Sequence, residues 1–285
     1  MDRATRVPKI LFLSAVVLYA ASWALGLAFL KSRDERLADW QWTLLGGGLL
    51  FHLADFAGAL HGFWTYPENR FFFPIHSLHG ALSWLAFANA LIFFIVEGLT
   101  RLRILGAFVL PWTVLAMAAA ALAAPQLGPL PVKLQSYWLD IHPMVLLVAY
   151  TACANAFGVG VVLLIQERQI RSRMPGELCF RLPALEDLDR LHRHLLTVSF
   201  LILSVGILMG AHWALRAWGR FWGWDVKETA AAIAWLLYAG CLAMHRWRNL
   251  RGKAMVYAST VAFAWLLFVF FGVNFISERH QFFAN

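Results

Sequence analysis

Charge is scarce in this chain of 285 residues: Asp, Glu, Lys and Arg make up only 14%, against about 25% in average globular usage. Hydrophobic residues make up 61%, where about 45–50% is usual, and the mean hydropathy is +0.63. A soluble chain of this size needs far more polar surface to cover its core. These proportions exclude a disordered chain, a nucleic-acid-binding domain and a soluble enzyme, and they leave a polytopic membrane protein. Cysteine is scarce as well: there are Cys153, Cys179 and Cys241 and no others. No CxxC occurs, so no dithiol redox motif or thiolate zinc site is present. No CxxCH occurs, so the chain is not itself a c-type cytochrome. No repeat of fixed period is visible. The net charge of +8 fits the Lys and Arg excess of cytoplasmic loops better than a nucleic-acid surface.

What is abundant is the long apolar run. A spanning helix needs about 20 mostly apolar residues, and eight stretches qualify: 10–30, 40–60, 78–97, 104–122, 144–165, 195–215, 229–245 and 254–276. The runs are continuous rather than alternating, which favours helices over a barrel. The expected fold is therefore all-α, with eight transmembrane helices. The first stretch is longer than the roughly 7–15 apolar residues of a signal peptide and reads as a retained span. Alternate loops hold fifteen Lys and Arg residues on one side and nine on the other, termini included. The richer side is expected in the cytoplasm, which puts both termini on the extracytoplasmic side; the bacterial inner (plasma) membrane is the more general expectation, since charge alone does not separate it from a thylakoid. Residues 183–194 carry Leu185, Leu188, Leu191 and Leu195 at helical spacing, as an interfacial or amphipathic helix would.

The segment between spans six and seven is the most informative. It reads Ala217-Trp218-Gly219-Arg220-Phe221-Trp222-Gly223-Trp224-Asp225-Val226-Lys227-Glu228-Thr229. Three tryptophans and a phenylalanine fall within seven residues. An aromatic belt at the membrane surface collects tryptophan, but it does not need Asp-Val-Lys-Glu-Thr beside it. The other reading is a platform for a large, flat, apolar ligand with charged edges. Indoles offer broad rigid faces, and Arg216, Arg220 or Lys227 would meet carboxylates at its rim. Asp225, just before an apolar run, is placed to order the loop or cap the next helix.

Trp218-Gly219-x-x-Trp222-x-Trp224-Asp225-x-Lys227-Glu228-Thr229 resembles the tryptophan-rich WWD signature of the haem-handling cytochrome c assembly proteins, in the wording of the CcsA (ResC) family of the system II pathway. The resemblance continues upstream in Leu134-Gln135-Ser136-Tyr137-Trp138-Leu139-x-Ile141-His142 and Tyr150, and downstream in Phe271-Gly272-Val273-Asn274 and His280. It covers the second half of the chain; the first four spans share apolar character and number. It divides the chain into four N-terminal helices, 1–124, and a haem-handling region, 125–285, containing the loop 216–229. It implies a haem-binding and haem-delivering subunit of a cytochrome c synthase. Such a subunit presents haem b to the CxxCH of apocytochrome c. It acts with a CcsB/ResB-like membrane subunit and a thiol-reducing thioredoxin-like protein.

Ten histidines are present, and any one of them is more often structural than a ligand. A bis-histidine haem site needs two imidazoles on opposite porphyrin faces, drawn from distant parts of the chain. His142 opens span five and His280 follows span eight, on the same expected side as the tryptophan loop. The resemblance makes these two the external axial ligands, with Trp218, Trp222, Trp224, Asp225, Arg220 and Lys227 around the cargo. It assigns His245, at the far end of span seven, to a second, intramembrane haem site completed by a histidine of the partner. His76 and His79, three apart on one helix face, read as a helix-start hydrogen-bond network rather than the metal-binding pair their spacing also allows. His52 and Asp55 share a helix face, His212 lies near the platform, and His192 and His194 read as solvated loop residues. The roles of His52, His76, His79 and His212 stay open. Three other functions fit parts of the pattern: a HemX-like membrane regulator of haem biosynthesis, a b-type haem electron-transfer protein, and a CcmC-like haem-delivery protein, which the eight spans and the Lys-Glu-Thr ending disfavour.

Overall fold

The computed structural model describes residues 3–32, 34–70, 72–125, 128–130, 135–172, 176–248 and 251–273. The protein is 85% helical, and no strand occurs among the described residues. Its helices are α1 (Arg3–Ser32), α2 (Glu35–Phe63), α3 (Leu78–Thr100), α4 (Gly106–Leu122), α5 (Tyr137–Ile170), α6 (Leu185–Trp218), α7 (Val226–Arg248) and α8 (Lys253–Leu267). Among the described residues, eight helical segments are long and apolar enough to cross a membrane, and they fall on the eight stretches read from the sequence. The longest are α5 and α6, with 34 residues each. In α6 the extra length is the 185–194 stretch, whose leucine spacing continues the register of the span, so the two form one helix. The chain packs as two compact units, Met1–Met144 and Val145–Asn285, with the division inside α5.

In the first unit α1 packs on α2 and α4, and α3 on α2 and α4. Without a hydrophobic driving force between helices in lipid, close approach depends on small residues and on polar contacts across the seam. Both are present. Gly48 leaves room for the Tyr19 ring, and Gly26 and Gly106 leave room for the buried side chain of Gln41. His52 is fully buried: its Nδ1 lies 3.2 Å from Tyr19 Oη and its Nε2 2.8 Å from Ser83 Oγ. Asn89 donates to Thr113 Oγ1 at 2.9 Å. Asp34 caps α2 by accepting from Arg36 N–H at 3.1 Å, and Ser77 caps α3 by accepting from Gly80 N–H at 3.1 Å.

At one end of this unit the segments leading into α3 and α5 are tied together. The buried Asn69 donates to Gly128 C=O at 2.9 Å and accepts from Leu130 N–H at 2.6 Å. At the opposite end Arg103 reaches Glu35 and Asp39 at 3.2 and 2.6 Å.

In the second unit α7 packs on α6 and α8. Phe157 of α5 stacks on Phe263 of α8 with ring centroids 5.2 Å apart. Leu146 of α5 fills the space over Gly206 of α6, so the beginning of α5 in this unit lies beside the later half of α6. A π-turn, Phe268–Gly272, follows α8, and Phe270 meets Tyr150 edge-on at 5.9 Å. Val198, Leu201, Val205 and Leu208 form an exposed stripe on α6, as a lipid-facing surface requires. His192, read from the sequence as solvated, is fully buried, with its Nε2 3.1 Å from Ser259 Oγ. Beside it Asp189 pairs with Arg193 and accepts Gly252 N–H at 3.0 Å. The folding of 185–194 into α6 is what takes His192 out of water.

Candidate functional site

The tryptophan loop is the corner between α6 and α7. Gly219 ends α6 in the left-handed conformation, φ +71°, with its N–H on Leu215 C=O, the usual role of glycine at that position. Asp225 begins α7. Its Oδ1 accepts from the N–H groups of Lys227 and Glu228 at 2.5 and 3.3 Å. Glu228 reaches back: its Oε2 accepts from Gly223 N–H at 2.6 Å and from Asp225 N–H at 3.4 Å. This is a reciprocal capping box with Asp at the cap and Glu three residues on. The signature's Asp-x-x-Glu is thus first a folding device, and the capping expected of Asp225 is present. Glu228 was not singled out by sequence reasoning, although the spacing to Asp225 carries the signal.

Trp224 lies between the two N–H groups that Glu228 holds. Its backbone is left-handed, φ +56°, a conformation that costs a non-glycine residue roughly 1–2 kcal/mol. Its indole is 77% exposed. Trp222 is half-buried and meets Trp224 edge-on at 6.1 Å, while Trp218 closes α6 against Trp213 at 4.8 Å. The Arg220 guanidinium crosses over Gly223 so closely that a Cβ there would lie 3.0 Å from it. Arg216 Nε donates to His212 Nε2 at 3.2 Å. Lys227 is half-buried in the first turn of α7. The loop thus offers aromatic faces with basic groups alongside.

The histidines are distributed as follows. His142 is half-buried in the second turn of α5, four residues before Leu146. His245 is half-buried near the end of α7, one turn beyond the buried Cys241. His280 lies outside the described residues. Both ring nitrogens of His52 have protein partners. His79 Nδ1 lies 2.8 Å from Ala120 C=O. His76 precedes α3 rather than starting it, and its Nε2 lies 2.6 Å from Asp140 Oδ1. That pair joins residues 64 positions apart and has no local sequence signal. Among the described residues no group of three or more His, Cys, Asp or Glu side chains is placed to hold a metal ion.

Residues 75–280 match the family described as Cytochrome C assembly protein. The chain belongs to the cytochrome c assembly protein family. The match begins at residue 75 and so takes in α3 and α4 as well as the second half. Relatives in this family carry the name cytochrome c biogenesis protein CcsA. The one from Synechococcus sp. strain CC9902 is 33% identical over 229 residues, covering 72% of this chain and 75% of its own. The one from Synechococcus sp. strain CC9311 is 31% identical over 283 residues, covering 89% and 90%. The one from Porphyra purpurea is 26% identical over 246 residues, covering 73% and 77%. A solved structure, cytochrome c haem lyase CcmF, shares the fold with a TM-score of 0.72 at 16% identity over 96% of this chain. The chain spans half the length of that protein. As a CcsA-type member of the cytochrome c assembly family, this multi-pass membrane protein has a role in cytochrome c biogenesis, which entails handling haem.

Proposed function

We propose that the protein is the haem-binding and haem-delivering subunit of a cytochrome c synthase. It works with a CcsB/ResB-like partner in a bacterial plasma membrane, with the tryptophan loop and both termini on the extracytoplasmic side. One observation carries this reading: Trp224, 77% exposed, sits on a left-handed backbone bracketed by the two hydrogen bonds of Glu228. A belt residue needs no such backbone. An indole turned outward on a costly, braced conformation suits a ligand platform.

Haem b is the cargo. His142 and His280 supply axial imidazoles, Trp218, Trp222 and Trp224 pack on the porphyrin, and Arg220 and Lys227 meet its propionates. Asp225 keeps the platform in shape through the cap. His245 serves a second site toward the opposite membrane face, which a histidine of the partner completes. The region 125–285 handles the cargo. Bound haem would supply its vinyl groups, across which the thiols of the apocytochrome CxxCH add, each addition breaking one S–H bond and the vinyl π bond and forming one C–S and one C–H bond. A thioredoxin-like reductant keeps those thiols free. This chain's own part is to bind and orient.

The test is spectroscopic. Purified with its partner, the protein is expected to show a bis-imidazole haem spectrum. His142→Ala and His280→Ala are each expected to lower haem occupancy at least about tenfold and to abolish covalent cytochrome c formation. Normal haem content with full cytochrome c maturation in both variants would reject the assignment.

A further inference from the structure

The first turns of α5 are held by an unusual brace. Asp140 is 1% exposed, two residues before His142. Its Oδ1 lies 2.6 Å from His76 Nε2, and its Oδ2 accepts the N–H of Phe73 at 3.1 Å. One buried carboxylate is thus gripped at two points by the segment that leads into α3. That segment is itself rigidly placed. Trp64 Nε1 donates to Phe72 C=O at 2.8 Å, Ile75 N–H to Phe73 C=O at 2.9 Å, and Ser77 caps α3. At the far side of His142, Trp84 of α3 donates through Nε1 to Met144 C=O at 3.3 Å. The stretch 140–144 is therefore tied to α3 and its approach at both ends.

Pro143 explains the need. It lies inside α5 and has no N–H, so it leaves Leu139 C=O without its helical donor and weakens the turn that carries His142. A ligating imidazole must be held within about 0.5 Å and 10–20° of its productive geometry, and this requires support from surrounding groups.

We infer that Asp140 and His76 are positioning residues that hold the first turns of α5 so that the His142 imidazole meets iron in one orientation. This rests on His142 being an axial ligand, as proposed above. A buried pair placed here has a use that a helix-start network does not require: it replaces the restraint that Pro143 removes.

The experiment uses the full chain with its membrane partner, with and without haem b. Asp140→Asn and His76→Gln keep side-chain size and remove the carboxylate–imidazole contact, and His142→Ala serves as reference. In the haem-free protein, amide exchange over 139–144 is expected to rise at least about tenfold in both variants, while exchange over 219–228 stays within twofold. In the haem-loaded protein the low-spin, bis-imidazole fraction is expected to fall at least about twofold, with bound haem falling less than in His142→Ala. Where Asp140→Asn does not accumulate, His76→Gln, which keeps the bond to Phe73, gives the result. An unchanged low-spin fraction in His76→Gln, with the signal lost in His142→Ala, overturns the positioning role alone. A low-spin spectrum that survives in His142→Ala overturns the ligand assignment, and the positioning role with it. Faster exchange with an unchanged spectrum reduces the pair to a structural contact and also overturns the inference.

Discussion

Replacing Glu228 by alanine tests the platform most directly. The substitution removes the acceptor at 2.6 Å from Gly223 N–H and at 3.4 Å from Asp225 N–H. The shorter bond is charge-assisted, for which about 1.5–3 kcal/mol is typical. The loop is only half-buried, so the low end applies, and the longer bond adds little. Trp224 then keeps its left-handed backbone, φ +56°, without the brace on either side. A cost of about 1.5–2 kcal/mol follows, a factor of roughly 10–30 in the ratio of open to closed loop.

Amide hydrogen exchange over 219–228 in the detergent-extracted protein reads that factor directly. Trp224→Gly adds a second arm: glycine takes the left-handed conformation freely, so this loop tightens by about 1 kcal/mol. In that background Glu228→Ala costs less, since part of its work is gone. Asp225→Asn, an equally good cap residue, leaves exchange near that of the natural chain, whereas Asp225→Ala loses about 1 kcal/mol. Exchange in Glu228→Ala within twofold of the natural chain, or equal costs in the two backgrounds, refutes the view that Glu228 holds Trp224 in place.

Two further outcomes concern the first unit. A Cβ on Gly80 would lie 2.1 Å from Pro74 C=O, a backbone atom that cannot swing aside, whereas one on Gly98 meets nothing within 4 Å. Gly80→Ala is expected to destabilise by about 3 kcal/mol and Gly98→Ala to stabilise by about 0.5–1 kcal/mol, read as opposite shifts of the thermal transition; shifts of the same sign would contradict the packing described. His52→Leu strips the partners from Tyr19 Oη and Ser83 Oγ in a buried site, costing about 1–3 kcal/mol for each group, with the haem spectrum unchanged. Loss of that spectrum in a protein that still melts cooperatively would instead make His52 a ligand.

The eight spans were legible because lipid imposes a one-dimensional rule: every backbone group must be satisfied within its own helix, so length and apolarity are enough. The Asp225 cap was legible for a related reason, since a capping box closes over four residues. The reading of His192 failed because local polarity around 186–194 describes the neighbours along the chain. Ser259, which covers it, comes from α8. The tie between His76 and Asp140 was invisible for the same reason, since the two carry no shared pattern.

Composition and local spacing by themselves therefore determined an all-helical membrane protein, its spans, and a tryptophan loop with a capped exit. These follow from forces acting within a helix or a turn. Tertiary structure alone decided which polar groups are buried and which of them pair across the chain. Such features depend on contacts between distant segments, whose free energy is settled only when the helices pack.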